Sequence, residues 1–325
     1  MPDPFDTEIS KAQQPRPEDC AFDLERTLSS VVCVRAQVPA DAYSARRMGT
    51  DRAGHGVVIR NDGLVATIGY LINEADQIWI IDGAHRAIPG HVVGQDPETG
   101  YGLVQALKPL QSPPIQFGDS SRLREGDPVI VAGYGGRGHA LNARVISKRE
   151  FAGYWEYLLE EGIFTSPPHP NWGGSALIGQ DGLLLGVGSL FVQQILMSDS
   201  PVDGNMFIPV NFIKNSLEDL IAYGSPRKPS RPWLGITTAE AENRLVIARL
   251  NRGGPARRSG LQVGDFVVAI NGQTVNDLAD MYRKIWSLGQ AGVEVPMTVL
   301  RDGDALEIKV KSGNRSERNK PPRLH

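Results

Sequence analysis

Gly56-Val-Val-Ile-Arg-Asn-Asp-Gly-Leu-Val-Ala-Thr67 reads as two extended stretches joined by a tight turn. Val57, Val58 and Ile59 are β-branched, stiff at χ1 and suited to a pleated surface. Asn61-Asp62-Gly63 supplies residues that accept positive φ, as a short hairpin turn requires. The pattern recurs outward from this hairpin. Val31, Val32, Cys33 and Val34 precede it; Gln77–Ile81 follows and closes on a second Asp82-Gly83 turn. Residues 91–94, 102–107, 128–132, 140–147, 162–166 and 183–192 are further short β candidates, with Asp181-Gly182 as another turn. About ten such strands at roughly 10–20-residue spacing predict an antiparallel barrel or sandwich and exclude a β-α-β arrangement.

The chain is 325 residues long, 41% hydrophobic and 22% charged, which predicts two globular domains and excludes general disorder. With 34 Lys and Arg against 37 Asp and Glu, the net charge of −3 excludes a whole-chain basic footprint, so no nucleic-acid partner is expected. The opening Met-Pro-Asp-Pro-Phe-Asp lacks the positive end and apolar run of a secretory signal, which predicts a cytoplasmic protein. The longest apolar stretch, 182–192, is too short to span a membrane. Cys20 and Cys33 form neither a disulfide framework nor a CxxC pair. The histidines show no metal-ligand spacing, so neither a metal nor a cofactor is expected.

Composition divides the chain. Residues 1–17 are polar and proline-broken and read as a flexible leader, and 18–224 form the first domain. Its closing helix places Ile213, Leu217, Leu220 and Ile221 on one face, with Gly224 as C-cap. Residues 225–232, Ser-Pro-Arg-Lys-Pro-Ser-Arg-Pro, have the composition of a semi-rigid linker. In the second domain, 233–311, a strand over 245–250 leads to Gly254-Pro-Ala-Arg-Arg-Ser-Gly260, a short helix begun by Pro255. A longer helix follows, with Asn276 as N-cap and Leu278, Met281, Tyr282, Ile285 and Trp286 on one face. Residues 312–325 are polar and expected to be disordered, carrying one of two small basic groups (Arg315, Arg318, Lys320 and Arg323; the other is Arg227, Lys228 and Arg231 in the linker).

Several phrases in succession carry a resemblance: residues 54–63, Val93-Gly-Gln-Asp-Pro-Glu-Thr99, 117–127, Phe207-Ile-Pro209, Trp233-Leu-Gly-Ile236, Gly254-Pro-Ala256, 260–265 and Ile270-Asn-Gly272. Together they resemble the HtrA family, serine proteases with a trypsin-like double β-barrel followed by a PDZ domain. The implied fold is mostly β, with an α+β PDZ domain, and the resemblance covers most of the chain. Laid on the family's triad motifs, the histidine falls on Tyr70, the aspartate on Gly100 and the serine on Gly173. Acyl transfer by serine needs a hydroxyl, an imidazole and a carboxylate. A phenol that titrates near 10 is a poor base at pH 7, and glycine supplies neither nucleophile nor carboxylate. The expectation is therefore no enzyme but a pseudoprotease on a serine endopeptidase scaffold, binding polypeptides as adaptor, regulator or chaperone-like protein.

Two alternatives stand beside it. One is an active serine endopeptidase rearranged around Ser175; the other is a non-catalytic subunit in a hetero-oligomer with an active homologue, or a homo-trimer as the family commonly forms. Residues 171–173 would offer backbone amides to an oxyanion, and Trp172 and His169 fill space or line a pocket. By the same resemblance, the amides of Trp233, Leu234, Gly235 and Ile236 receive a peptide's terminal carboxylate, and Ile236, Met281 and Ile285 line an apolar pocket for protein C-termini. The aromatic and acidic stretch 151–161 falls where the family carries regulatory loops; it reads as a strand edge with solvated glutamates, with a partner-binding surface as the alternative.

Overall fold

The computed structural model describes residues 5, 7–195, 201–241 and 244–320. The chain divides into two compact units. The first comprises Met1–Arg149, Glu161–Arg227 and Asn319–His325; the second comprises Glu150–Glu160 and Lys228–Arg318.

In the first unit the hairpin read above forms β2 (Asp51–Val58) and β3 (Leu64–Ile68). They close a barrel with β1 (Val31–Gln37), β4 (Gln77–Ile81), β5 (Ala87–Gln95) and β6 (Tyr101–Ala106), in the order β1-β2-β3-β6-β5-β4. A second closed barrel uses β7 (Pro128–Ala132), β8 (Ala140–Gly153), β9 (Tyr157–Ser166), β10 (Ala176–Ile178), β11 (Leu184–Ile195) and β12 (Val202–Pro209). Its order, β10-β11-β12-β9-β8-β7, repeats the winding of the first. Closure leaves no open sheet edge in either barrel. The fully buried Val32, Val34, Val65 and Leu103 fill the first barrel. Val131, Leu141, Ile163 and Phe207 belong to the core of the second. The helix Val210–Tyr223 follows, and Gly224, at φ 75°, ends it by donating its N–H to Leu220 O at 3.0 Å.

The stretch expected to be a flexible leader packs instead. Ile9 is buried and its N–H donates to Gly138 O at 2.8 Å, while Gln13 O accepts from Asn142 N–H at 2.8 Å. Those main-chain groups find partners on the second barrel, which the polar composition of the segment does not reveal. Residues 1–4 and 6 lie outside the described residues.

In the second unit, β13 (Ile236–Ala241), β14 (Arg244–Leu250), β15 (Phe266–Ile270), β17 (Glu294–Arg301) and β18 (Asp304–Lys311) form a sheet in that order, with the two-residue β16 (Gln273–Thr274) beside β15. The helix Leu278–Ser287 buries Leu278, Met281, Tyr282 and Ile285 against this sheet's core. Its N-cap is Asp277, whose carboxylate accepts from Asp280 N–H at 2.8 Å, rather than Asn276. The charged oxygen at the next position wins the capping role. Residues 312–318 of the tail are ordered against this unit as well. Gly313 exchanges main-chain bonds with Trp233 at 3.0 and 2.9 Å, and the Arg318 guanidinium lies 5.4 Å from the Trp233 ring centre. Arg323 and the rest of 321–325 fall outside the described residues.

Candidate functional site

Two places hold the residues singled out in the sequence, one in each unit. In the first unit, Tyr70 lies in the one-turn helix Gly69–Ile72, directly after β3. The buried Arg52 clamps that turn, donating to the carbonyls of Tyr70 (2.9 Å) and Asn73 (3.0 Å) and to Ser44 Oγ (2.8 Å). Gly69 N–H donates to Gly100 O at 2.7 Å, which sets Gly100 beside the base of the turn. Gly100 has φ 92°, a conformation that glycine adopts without the strain an aspartate would meet there. Gly173 O accepts from His55 N–H at 2.8 Å. A Cβ at Gly173 would lie 2.7 Å from Tyr70 Oη. Tyr70, Gly100 and Gly173, distant in sequence, thus converge on one place.

The tyrosine fills the room that a side chain at 173 would need. Its hydroxyl donates to Ser189 O at 3.1 Å, and burial pushes the phenol well above its ordinary range, so it stays protonated and serves as a donor. Ser175, fully buried, donates its hydroxyl to Trp172 O at 2.8 Å. Among the described residues no serine hydroxyl is hydrogen-bonded to an imidazole. His55 is enclosed, its Nδ1 accepting from Tyr134 N–H at 3.0 Å and its ring 4.2 Å from that of Phe5; burial pushes it down to about 3. His169 Nδ1 accepts from Asn171 N–H at 3.1 Å, so that amide is committed and does not face an oxyanion. Gly174 N–H donates to Gly188 O at 2.8 Å and Ser175 N–H to Trp172 O at 3.0 Å. Trp172 packs on Phe191, with ring centres 5.6 Å apart. Among the described residues no cluster of His, Cys, Asp or Glu has the arrangement of a metal site.

In the second unit the loop before β13 holds a carboxylate. The N–H groups of Leu234, Gly235 and Ile236 donate to the two oxygens of Glu156 at 2.6, 2.8 and 3.0 Å. Gly235, at φ 78°, turns the backbone so that successive amides point the same way. Trp233 does not take part: its N–H donates to Gly313 O and its side chain packs below the loop. Ile236, Met281 and Ile285 are all buried in the core that adjoins the loop, and Leu158 is buried in the same cluster.

Glu156 is 8% exposed and has φ 58°. The expectation of solvated glutamates is therefore corrected at this position. Burial pushes its carboxyl up to about 7, against the opposing pull of the three amides and Arg315. Nothing in the local pattern Tyr-Trp-Glu-Tyr distinguishes a buried Glu156 from an exposed one; the aromatic density of 151–157 was the only available signal.

Comparison with known proteins fits this architecture. A family model described as "Trypsin-like peptidase domain" matches residues 54–187, and one described as "PDZ domain" matches 232–312. A Haemophilus influenzae protein named "Probable periplasmic serine protease do/HhoA-like" is 29% identical over 278 residues, covering 79% of this chain and 57% of that protein. A Pseudomonas putida protein named "Probable periplasmic serine endoprotease DegP-like" is 26% identical over 294 residues, covering 85% of this chain and 59% of that one. The chain thus spans less than two thirds of the length of these relatives. Among solved structures, "HtrA-type protease AlgW with tripeptide" superposes with a TM-score of 0.53 at 22% identity, covering 95% of this chain and 99% of that one. A serine endoprotease from Yersinia pestis gives 0.53 at 20% identity, covering 90% and 98%.

Two expectations are corrected by these names. The chain was expected to be no enzyme, yet its relatives are named serine proteases and endoproteases. It was expected to be cytoplasmic, yet those relatives are named periplasmic. A double barrel of repeated winding and a following PDZ domain lead to one conclusion: the chain joins a trypsin-like peptidase domain to a PDZ domain, in the fold of HtrA-type proteases.

Proposed function

We propose that this chain is a polypeptide-handling protein of the periplasm that takes clients by their C-terminal carboxylate in the PDZ groove, as an adaptor or regulator. The observation that carries this reading is the row of amides at Leu234, Gly235 and Ile236 converging on one carboxylate. A peptide laid along β13 would continue the sheet by main-chain hydrogen bonds, with its last side chain directed to the apolar cluster of Ile236, Met281 and Ile285 in the place of Leu158. The periplasmic assignment rests on the names of the relatives.

Incubating the immobilised full chain with a pool of random hexapeptides, followed by mass spectrometry of retained and unbound material, tests the reading. Retention is expected for peptides with a free C-terminus and not for their amidated twins. Gly235→Asp, which places a negative charge and a Cβ 3.1 Å from the Trp233 ring, is expected to abolish it. Retention that ignores both changes would refute the proposal. The unbound fraction also reports any shortened peptides, the product that the names of the relatives would lead one to seek.

A further inference from the structure

The carboxylate in the PDZ loop belongs to the chain itself. Residues Glu150–Glu160 form the end of the β8–β9 hairpin and are part of the second unit. Their contacts follow the form of a bound peptide. Glu156 supplies both oxygens to the amide row. Tyr154 O accepts from Thr238 N–H of β13 at 2.9 Å, the kind of main-chain bond by which an added strand is held. Leu158 is buried in the same cluster as Ile236, Met281 and Ile285, as an apolar terminal side chain would be.

Further groups hold the hairpin from the groove helix and the tail. Tyr282 Oη donates to Gly153 O at 2.8 Å and accepts from Glu156 N–H at 3.0 Å. Arg283 pairs with Glu150, and Arg315 Nη1 donates to the carbonyls of Trp155 and Glu156 at 3.4 and 3.5 Å. Trp155 stacks on Tyr157, with ring centres 5.7 Å apart and planes 17° apart, which stiffens the tip. A sharply bent backbone with positive φ at Glu156 presents a side-chain carboxylate where a linear ligand would present its terminal one.

We infer that the Glu150–Glu160 hairpin is a built-in competitor for the PDZ groove: the Glu156 carboxylate holds the seat of an incoming C-terminal carboxylate, and a client polypeptide binds only by displacing it. This rests on the reading of the groove as a peptide site. The groove and the hairpin cannot both satisfy the Leu234, Gly235 and Ile236 amides, so apparent client affinity is the intrinsic affinity scaled by the fraction of molecules with the hairpin out. The ligand class that fits is a polypeptide ending in a free carboxylate with an apolar last residue.

The test uses the full chain and Glu156→Gln, which keeps the shape but sets an NH2 donor where one of the two oxygens accepts from the amide row. The probe is a fluorescein-labelled pool of random hexapeptides with free C-termini, read by anisotropy, with the amidated pool as control. Amide exchange at Leu234, Gly235 and Ile236 reports in parallel whether the hairpin has left. Glu156→Gln is expected to bind the free-carboxylate pool at least about tenfold tighter than the unmodified chain, with no gain for the amidated pool. Should Glu156→Gln fail to fold, Glu156→Asp, drawn back by one methylene, is expected to shift in the same direction. Equal or weaker binding by the variant, with the unmodified chain binding well, overturns the competitor and leaves peptide capture intact. No binding by either protein, with fast-exchanging amides in the variant, overturns both.

Discussion

Placing a methyl group at Gly173 should reveal how fully Tyr70 occupies that space. The added Cβ would lie 2.7 Å from Tyr70 Oη, closer than a carbon and an oxygen tolerate, while the ring carbon bearing that oxygen stays at an ordinary 3.8 Å. Gly173 is not among the positions with positive φ, so alanine adds no backbone strain. The cost is overpacking, about 1–3 kcal/mol, together with the Tyr70–Ser189 hydrogen bond if the ring swings aside, worth roughly 1 kcal/mol. Tyr70→Phe alone forfeits the hydrogen bond but removes the obstructing oxygen. In that background Gly173→Ala should be nearly free, giving a coupling of about 1–3 kcal/mol in the double-mutant cycle. Urea unfolding followed by tryptophan fluorescence is the assay, because Trp172 is the immediate neighbour of position 173 and packs on Phe191. Additivity of the two changes within about 0.5 kcal/mol would show that the hydroxyl and the position do not share space, and the account of the cleft would fail.

Three further outcomes are expected. Glu156 titrates near 7 instead of 4.5 when docked, so docking is strongest below about pH 4.5 and weakens as pH rises through 7. The facing groups are Arg315 and Tyr282, and protection of the Leu234–Ile236 amides should fall by up to about two and a half decades between pH 4.5 and 8; constant protection would contradict the buried docking. Asp265, 1% exposed, is held below the usual carboxylate range because two bonds from Arg301 (2.6 and 2.7 Å) and one from Gln262 N–H (2.8 Å) outweigh its burial. Asp265→Asn should cost the second unit about 3 kcal/mol in a thermal melt, and the unmodified unit should lose the same support as pH falls below about 4; an unchanged melt would remove the pair from the account. Arg52→Gln should destabilise the first unit by about 2–4 kcal/mol by orphaning the Tyr70 and Asn73 carbonyls, measured as a shift in the urea midpoint; a shift under about 0.5 kcal/mol would refute the clamp.

Much of the fold is local information. The Asn61-Asp62-Gly63 turn and the β-branched runs around it predict hairpins because φ and side-chain branching act over a few residues, and β2 and β3 form there. Gly224 ends its helix for the same kind of reason. What stayed hidden is set by contacts between distant residues. Ile9 finds Gly138, and Glu156 finds an amide row almost eighty residues away in sequence, and neither leaves a periodic trace. The capping role passed from Asn276 to Asp277 because adjacent residues with similar short polar side chains compete, and a single residue of register lies below what pattern reading resolves. The convergence of Tyr70, Gly100 and Gly173 became readable only through motif resemblance, since nothing in their own sequence contexts points from one to another.

The segment Glu150–Glu160 is tethered at both ends, by β8 on one side and β9 on the other. Such a tether fixes the local abundance of the segment whatever the protein concentration, in the millimolar range for short connections. Dilution leaves this standard unaltered, so each solution partner is graded against one internal yardstick. Scarce or weakly held termini are turned away, and only abundant or tightly gripped ones gain entry.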